Sequence, residues 1–171
     1  MMDELGVFPH NASNCSVLIV DGKVFACTSN GQDWTHSNIP SPNSPSFIAV
    51  NKKTGELVGE DGEKIGPRIF HGQWSSPSAA TVNGRQLVFF GGGDGWCYAF
   101  DAKPENPGEN GKLKIAWKYD CNPPDYKKDK DGKFPDQNTL AHVVTPDEKE
   151  WQAVMSGQEV PVGNGAAQIQ G

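Results

Sequence analysis

The sequence predicts an all-β fold made of four-stranded antiparallel units in series, and three observations carry that expectation. Short apolar runs alternate with turns rich in Gly, Asn, Asp and Pro. The chain holds 20 Gly and 13 Pro in 171 residues, which is hard to fit into helices. Two hairpin tips, Asp21-Gly22 and Asn83-Gly84, each lie between apolar runs, and such dipeptides favour the tight turns that match the twist of paired strands. The runs around the first tip recur around the second, as they do in radially repeated β architectures.

The first group of strands begins with Ser16–Val20, turns at Asp21-Gly22 and returns through Lys23–Cys27. A polar loop from Asn30 to Pro45 leads to a third strand, Ser46–Val50; Lys53-Thr54-Gly55 is then a turn and Glu56-Leu57-Val58 the fourth run. The second group enters at Trp74-Ser75-Ser76-Pro77 and runs through Ala79–Val82, the Asn83-Gly84 tip and Gln86–Phe90. The glycine turn Gly91–Gly95 leads to Trp96–Asp101, and a longer turn, Pro104 to Gly111, leads to Leu113–Tyr119. Position 21 aligns with 83 but 49 with 99, so the repeat is elastic and its length varies in the loops. Residues 122–138 are a polar loop between units, and a third unit starts at Leu140–Pro146 and Trp151–Met155 and breaks off near its middle. Both ends look cut, and the chain is expected to be part of a longer one.

Composition removes several function classes. Fifteen Lys and Arg against 21 Asp and Glu give a net charge of −6, the wrong balance for a nucleic-acid binder. Apolar runs such as Val17–Val20 are far shorter than the roughly 20 residues of a spanning helix, so no transmembrane segment is expected. The acidic start, Met1-Met2-Asp3-Glu4-Leu5, contains no signal peptide. Cys15, Cys27, Cys97 and Cys121 form no C-x-x-C, and they are too sparse for a disulfide scaffold. The Asp21-Gly22 tip pairs Val20 with Lys23 and Ser16 with Cys27, which leaves Cys15 one residue out of register and on the other face. A small buried apolar role for the cysteines is favoured over a Cys15–Cys27 bridge. At Asp129-Lys130-Asp131-Gly132, a calcium loop fails on spacing, since Lys127 and Asn138 fall where acidic ligands are required.

Several segments carry a family resemblance. Ala49-Val50-Asn51-Lys52-Lys53-Thr54-Gly55-Glu56 resembles the tryptophan-docking motif of quinoprotein-type β-propellers, with Asn51 for Asp and Gly59 where the Trp belongs. The second group keeps Ala99, Asp101, Gly111 and Trp117 around an insertion. His71–Pro77, Gly92–Asp101, His142–Pro146 and Gly157-Gln158-Glu159 are also similar to a bacterial PQQ-like propeller-repeat family, and the resemblance spans roughly residues 6 to 165. In the motif a Trp ring lies across a neighbouring unit's Gly, Thr caps the turn, and Asp holds its free N–H groups. It is a structural device that joins units.

The resemblance implies an incomplete β-propeller of about two and a half four-stranded antiparallel blades, with units near 15–60, 74–120 and 139–171. It implies a binding or interaction scaffold, periplasmic or exported to the bacterial envelope. Its partners would be the remaining blades of the same longer chain, a second copy, or another protein. The alternative is part of a PQQ-dependent dehydrogenase, with PQQ and calcium as cofactors by resemblance alone; its calcium-ligating carboxylates and catalytic Asp have no assignable positions in this sequence.

Individual side chains offer little chemistry on spacing alone. The Gly91–Gly95 run lacks the Lys-Ser/Thr of a phosphate loop and opens no helix, so a tight turn is favoured over an anion cradle. His10, His36, His71 and His142 are scattered without an i,i+4 or H-x-H pair, and no metal site is expected from them, a site assembled across units being the less favoured alternative. Ser75 and Ser76 lack a G-x-S-x-G context, and holding the start of the following strand is their expected role. Trp34, Trp74 and Trp96 are expected in core or inter-unit packing rather than in a sugar or quinone pocket. The sequons at Asn11 and Asn14 carry little weight beside a bacterial resemblance. No catalytic or cofactor-binding residue is assigned.

Overall fold

The computed structural model describes residues 2–103 and 111–123. All that follows concerns the first compact unit, Met1–Cys121. The expected polar loop 122–138 and third unit 139–171 lie outside the described residues, apart from 122 and 123. The described chain is all-β, with eight strands in two four-stranded antiparallel sheets of sequential order. Sheet one holds β1 (Leu18–Val20), β2 (Lys23–Cys27), β3 (Phe47–Asn51) and β4 (Leu57–Glu60); sheet two holds β5 (Ser78–Val82), β6 (Arg85–Gly91), β7 (Trp96–Asp101) and β8 (Ile115–Asp120). Helix is limited to one turn, α1 (Met2–Leu5), and a 3-10 turn, η1 (Gly66–Arg68).

Turn chemistry sets the register. Both residues of each hairpin tip have positive φ: 47° and 74° at Asp21-Gly22, 49° and 76° at Asn83-Gly84. That geometry fits two-residue hairpins, and Asp, Asn and Gly tolerate it best. It places Val20 opposite Lys23 and Val82 opposite Arg85. The first ladder ends at Leu18–Phe25; the N–H of Ser16 turns away to donate to Ser76 Oγ at 2.9 Å. In each sheet the register shifts just after the corresponding alanine, Ala49 in β3 and Ala99 in β7. β6 is seven residues long against five for β2. An even difference preserves which side chains face which way, so the repeat stretches without inverting its faces.

The core forms where the front of sheet one meets the back of sheet two. Val20, Phe25, Cys27, Phe47 and Ala49 share one face of sheet one; Val88, Phe90, Tyr98 and Phe100 share one face of sheet two, and all are buried in one cluster. Phe47 stacks on Phe25, Phe90 and Phe100 with centroids at 6.1, 4.7 and 5.6 Å. By register, Phe25–Ala49 of sheet one corresponds to Phe89–Ala99 of sheet two. The face that sheet one buries against its neighbour is therefore the face that sheet two turns away from sheet one. There Phe89 meets Trp117, with centroids 5.7 Å apart, and Trp117 and Tyr119 are 44% and 68% exposed. The two sheets stack head to tail.

The turn after β3 is held by Asn51, whose Oδ1 accepts the N–H groups of Lys53 and Thr54 at 2.8 and 3.3 Å. At Gly59 a Cβ would lie 2.8 Å from the side chain of Leu113. Leu113, buried at the approach to β8, fills the space beside that glycine. All four cysteines are free; Cys27 is buried, Cys15 and Cys97 half-buried and Cys121 exposed. The Cys15 thiol lies 3.4 Å from the carbonyl of Cys27, to which it donates, without a bridge to its sulfur.

The linker between the sheets is pinned by buried charge. Asp61 Oδ2 accepts the N–H groups of Ser46 and Phe47 at 2.7 and 3.0 Å, and Oδ1 accepts that of Glu63 at 3.3 Å. Burial pushes the Asp61 carboxyl above the ordinary carboxylate range despite these bonds. A raised folded-state pKa means that its contribution is full below the unfolded value, about 3.9, and declines as pH rises through the folded value. Asp61→Ala is expected to cost about 2 kcal/mol by stranding two buried N–H donors. Urea melts should give a larger loss near about pH 4 than at neutral pH.

Candidate functional site

Three histidines that are far apart in sequence converge beside sheet one. Residues 28–32, just after β2, act as a spine between two other segments. His10 N–H donates to the Ser29 carbonyl, Gly31 N–H to that of Phe8, and Gln32 N–H to that of His71, at 3.0, 3.0 and 2.8 Å. Gly31 makes this approach feasible, since a Cβ there would lie 2.8 Å from both His10 Cβ and the His71 carbonyl oxygen. The spine thus brings His10 from one side and His71 from the other. His36 comes from the loop that follows, at a left-handed φ of 55°.

That loop is tied by Asp33. Its Oδ1 accepts the N–H of Thr35, the hydroxyl of Thr35 and the N–H of Ser37, and its Oδ2 accepts the Asn38 amide. These bonds, that of Thr35 foremost, hold the Asp33 carboxyl down to about 2. The loop carries His36 to within 4.6 and 5.0 Å of the His71 and His10 rings.

The ring geometry is specific. Centroids lie 4.4 Å apart for His10–His71, 4.6 Å for His36–His71 and 5.0 Å for His10–His36. One ligand nitrogen from each residue falls within 4.8 Å of the others. His10 is fully buried, and its Nδ1 sits 2.8 Å from the Gln32 carbonyl oxygen. A carbonyl only accepts, so Nδ1 carries the proton and Nε2 presents a lone pair. His71 Nε2 lies 2.7 Å from that lone pair and donates to it. Burial, then the neighbouring His10 and His36, push the His71 pKa down, which favours neutral imidazole. Trp34 and Trp74 border the group, with ring centroids 6.1 and 6.0 Å from His10.

The other residues singled out in the sequence fall elsewhere. Gly91–Gly95 is a tight turn between β6 and β7, with Gly92 N–H donating to the Trp96 carbonyl at 2.8 Å. Its Asp94 points inward to an ion pair with Arg68 at 2.8 Å. Ser75 Oγ accepts the N–H of Gly91, the last residue of β6, and Ser76 Oγ that of Ser16, just before β1, so the two serines hold one strand end and one strand approach. Trp96 packs against the core, with Lys118 Nζ 5.7 Å from its ring centre. His142 lies outside the described residues. The histidine cluster had no signature at helical or strand spacing. The one local signal was a tryptophan within three residues of both His36 and His71.

Comparison of the chain with protein-family models and with curated proteins found no match to either. Among the described residues, no helix is long and apolar enough to cross a membrane.

Proposed function

We propose that the chain supplies blades of a β-propeller of the PQQ-like repeat type and acts as a binding scaffold in the bacterial envelope. The observation that carries this reading is the head-to-tail stacking of the sheets. A contact between unlike faces leaves one copy of each face unused, so it propagates until it closes a ring or continues as an open array. Four-stranded antiparallel units stacked in this way are the elements of propellers. The front of sheet two, where Leu87 and Ala99 are buried but Trp117 and Tyr119 are exposed, is the place for a further blade of the same chain or a second copy. The dehydrogenase alternative needs carboxylates gathered around a cation; the group of potential ligands among the described residues is made of imidazoles instead.

Light scattering on the eluted 171-residue chain, with a hydrophobic dye added, tests the reading. Self-association or dye binding is expected, and Trp117→Glu with Tyr119→Lys should reduce it. A dye-negative monomer overturns the proposal, because such a chain has no open blade face. Titration with PQQ and Ca²⁺ separates the two functions: saturable quenching of tryptophan fluorescence would move the chain to the dehydrogenase class.

A further inference from the structure

We propose that His10, His36 and His71 form a binding site for a first-row transition metal ion, with Zn²⁺ as the natural occupant. Imidazole is a common ligand for zinc, and three nitrogens with a fourth position open to water or a ligand oxygen make a complete protein set. At zinc–nitrogen distances of about 2.0–2.1 Å, tetrahedral ligand atoms sit about 3.4 Å apart. The present spacings bracket that value, with the hydrogen-bonded His10–His71 pair at 2.7 Å and the whole group within 4.8 Å. Small side-chain rotations, with the His71 proton moved from Nε2 to Nδ1 so that its Nε2 lone pair is free, bring the three nitrogens to one centre.

Three features favour a metal over a purely structural cluster. His10 already has the partner a ligating histidine uses: its Nδ1–H is engaged by the Gln32 carbonyl at 2.8 Å, so the lone pair of Nε2 faces the other rings. A structural hydrogen bond would need only His10 and His71, yet the Asp33-tied loop places a third ring 4.6 Å from His71. His36 and His71 are exposed while His10 is buried, so the centre has an anchored base and an accessible mouth. Trp34 and Trp74 flank that mouth as apolar walls. The fourth ligand is a water or a small oxygen donor entering between them.

The test uses the 171-residue chain, stripped with EDTA and titrated with Zn²⁺ alone against a chromophoric chelator. One equivalent is expected to bind at micromolar protein, with a higher Tm in zinc than in EDTA. Co²⁺ in its place should give the visible absorption of a low-coordinate nitrogen site. His36→Ala and His71→Gln, both at exposed positions, should each weaken zinc binding by at least about 100-fold, since losing a ligand costs no less than losing an outer-sphere partner. The Tm of His36→Ala in EDTA should match the parent, which separates a lost ligand from a lost fold, while His71→Gln also loses the bond to buried His10. The proposal is overturned if the parent binds no zinc, or if binding persists unchanged in both variants and so resides elsewhere in the chain.

Discussion

Phe47→Ala is expected to lower the unfolding free energy by about 3–5 kcal/mol. Phe47 is fully buried and its ring contacts aromatic side chains in both sheets. Removing it opens a cavity between two stiff β surfaces that cannot close over it. The control is Phe89→Ala on the outward face, which is only half-buried and should cost less than about 2 kcal/mol. Urea unfolding followed by tryptophan fluorescence measures both. Equal losses for the two would mean that the stack of sheet one on sheet two does not support the fold.

Arg68→Met is expected to cost about 3 kcal/mol or more, since it removes the guanidinium from a carboxylate deep in the protein. The side chain of Asp94 is 1% exposed, and Arg68 reaches it through Nε at 3.0 Å and a terminal nitrogen at 2.8 Å. The same guanidinium donates to the Tyr98 hydroxyl and to the carbonyls of Glu63 and Lys64. One side chain thus joins the linker around η1 to the β6–β7 turn of sheet two. Tyr98 donates to Asp94 at 2.5 Å, and Tyr98→Phe should cost about 1.5–3 kcal/mol, as for a hydrogen bond to a charged group. A double-mutant cycle on Arg68 and Tyr98 should give a coupling above about 0.5 kcal/mol. Strict additivity would deny that they act on one carboxylate.

The parts of this architecture that were legible in the sequence are those set by local chemistry. Asp21-Gly22 and Asn83-Gly84 announce turns because few other residues accept two successive left-handed conformations. From those tips the pairing of Val20 with Lys23 follows by counting, whereas Cys15, expected on the other face, packs against the same core cluster as Cys27. The ladder does not extend to Ser16 and Cys27, because Ser16 finds a better acceptor in Ser76, sixty residues on. Long-range partners were the illegible part. Asp94 looks like any turn residue until Arg68 reaches it across the linker. Gly59 looks like a missing contact until Leu113 arrives to fill it. The three histidines lie on irregular segments, where neither a period of 2.0 nor one of 3.6 organises side chains, so only the hydrogen bonds of residues 28–32 bring them together.

The unlike faces of the two sheets also give the molecule a direction in time. Sheet one is complete at Glu60, before any residue of sheet two has been synthesised. Its finished front is a template on which the back of the next sheet can condense as it leaves the ribosome. Sheet two in turn carries a face that corresponds by register to the one that received it. A tandem duplication of one unit needs no new interface to be accommodated, because the added copy carries both the plug and the socket. Such a chain can lengthen by whole units over generations while its joints stay the same.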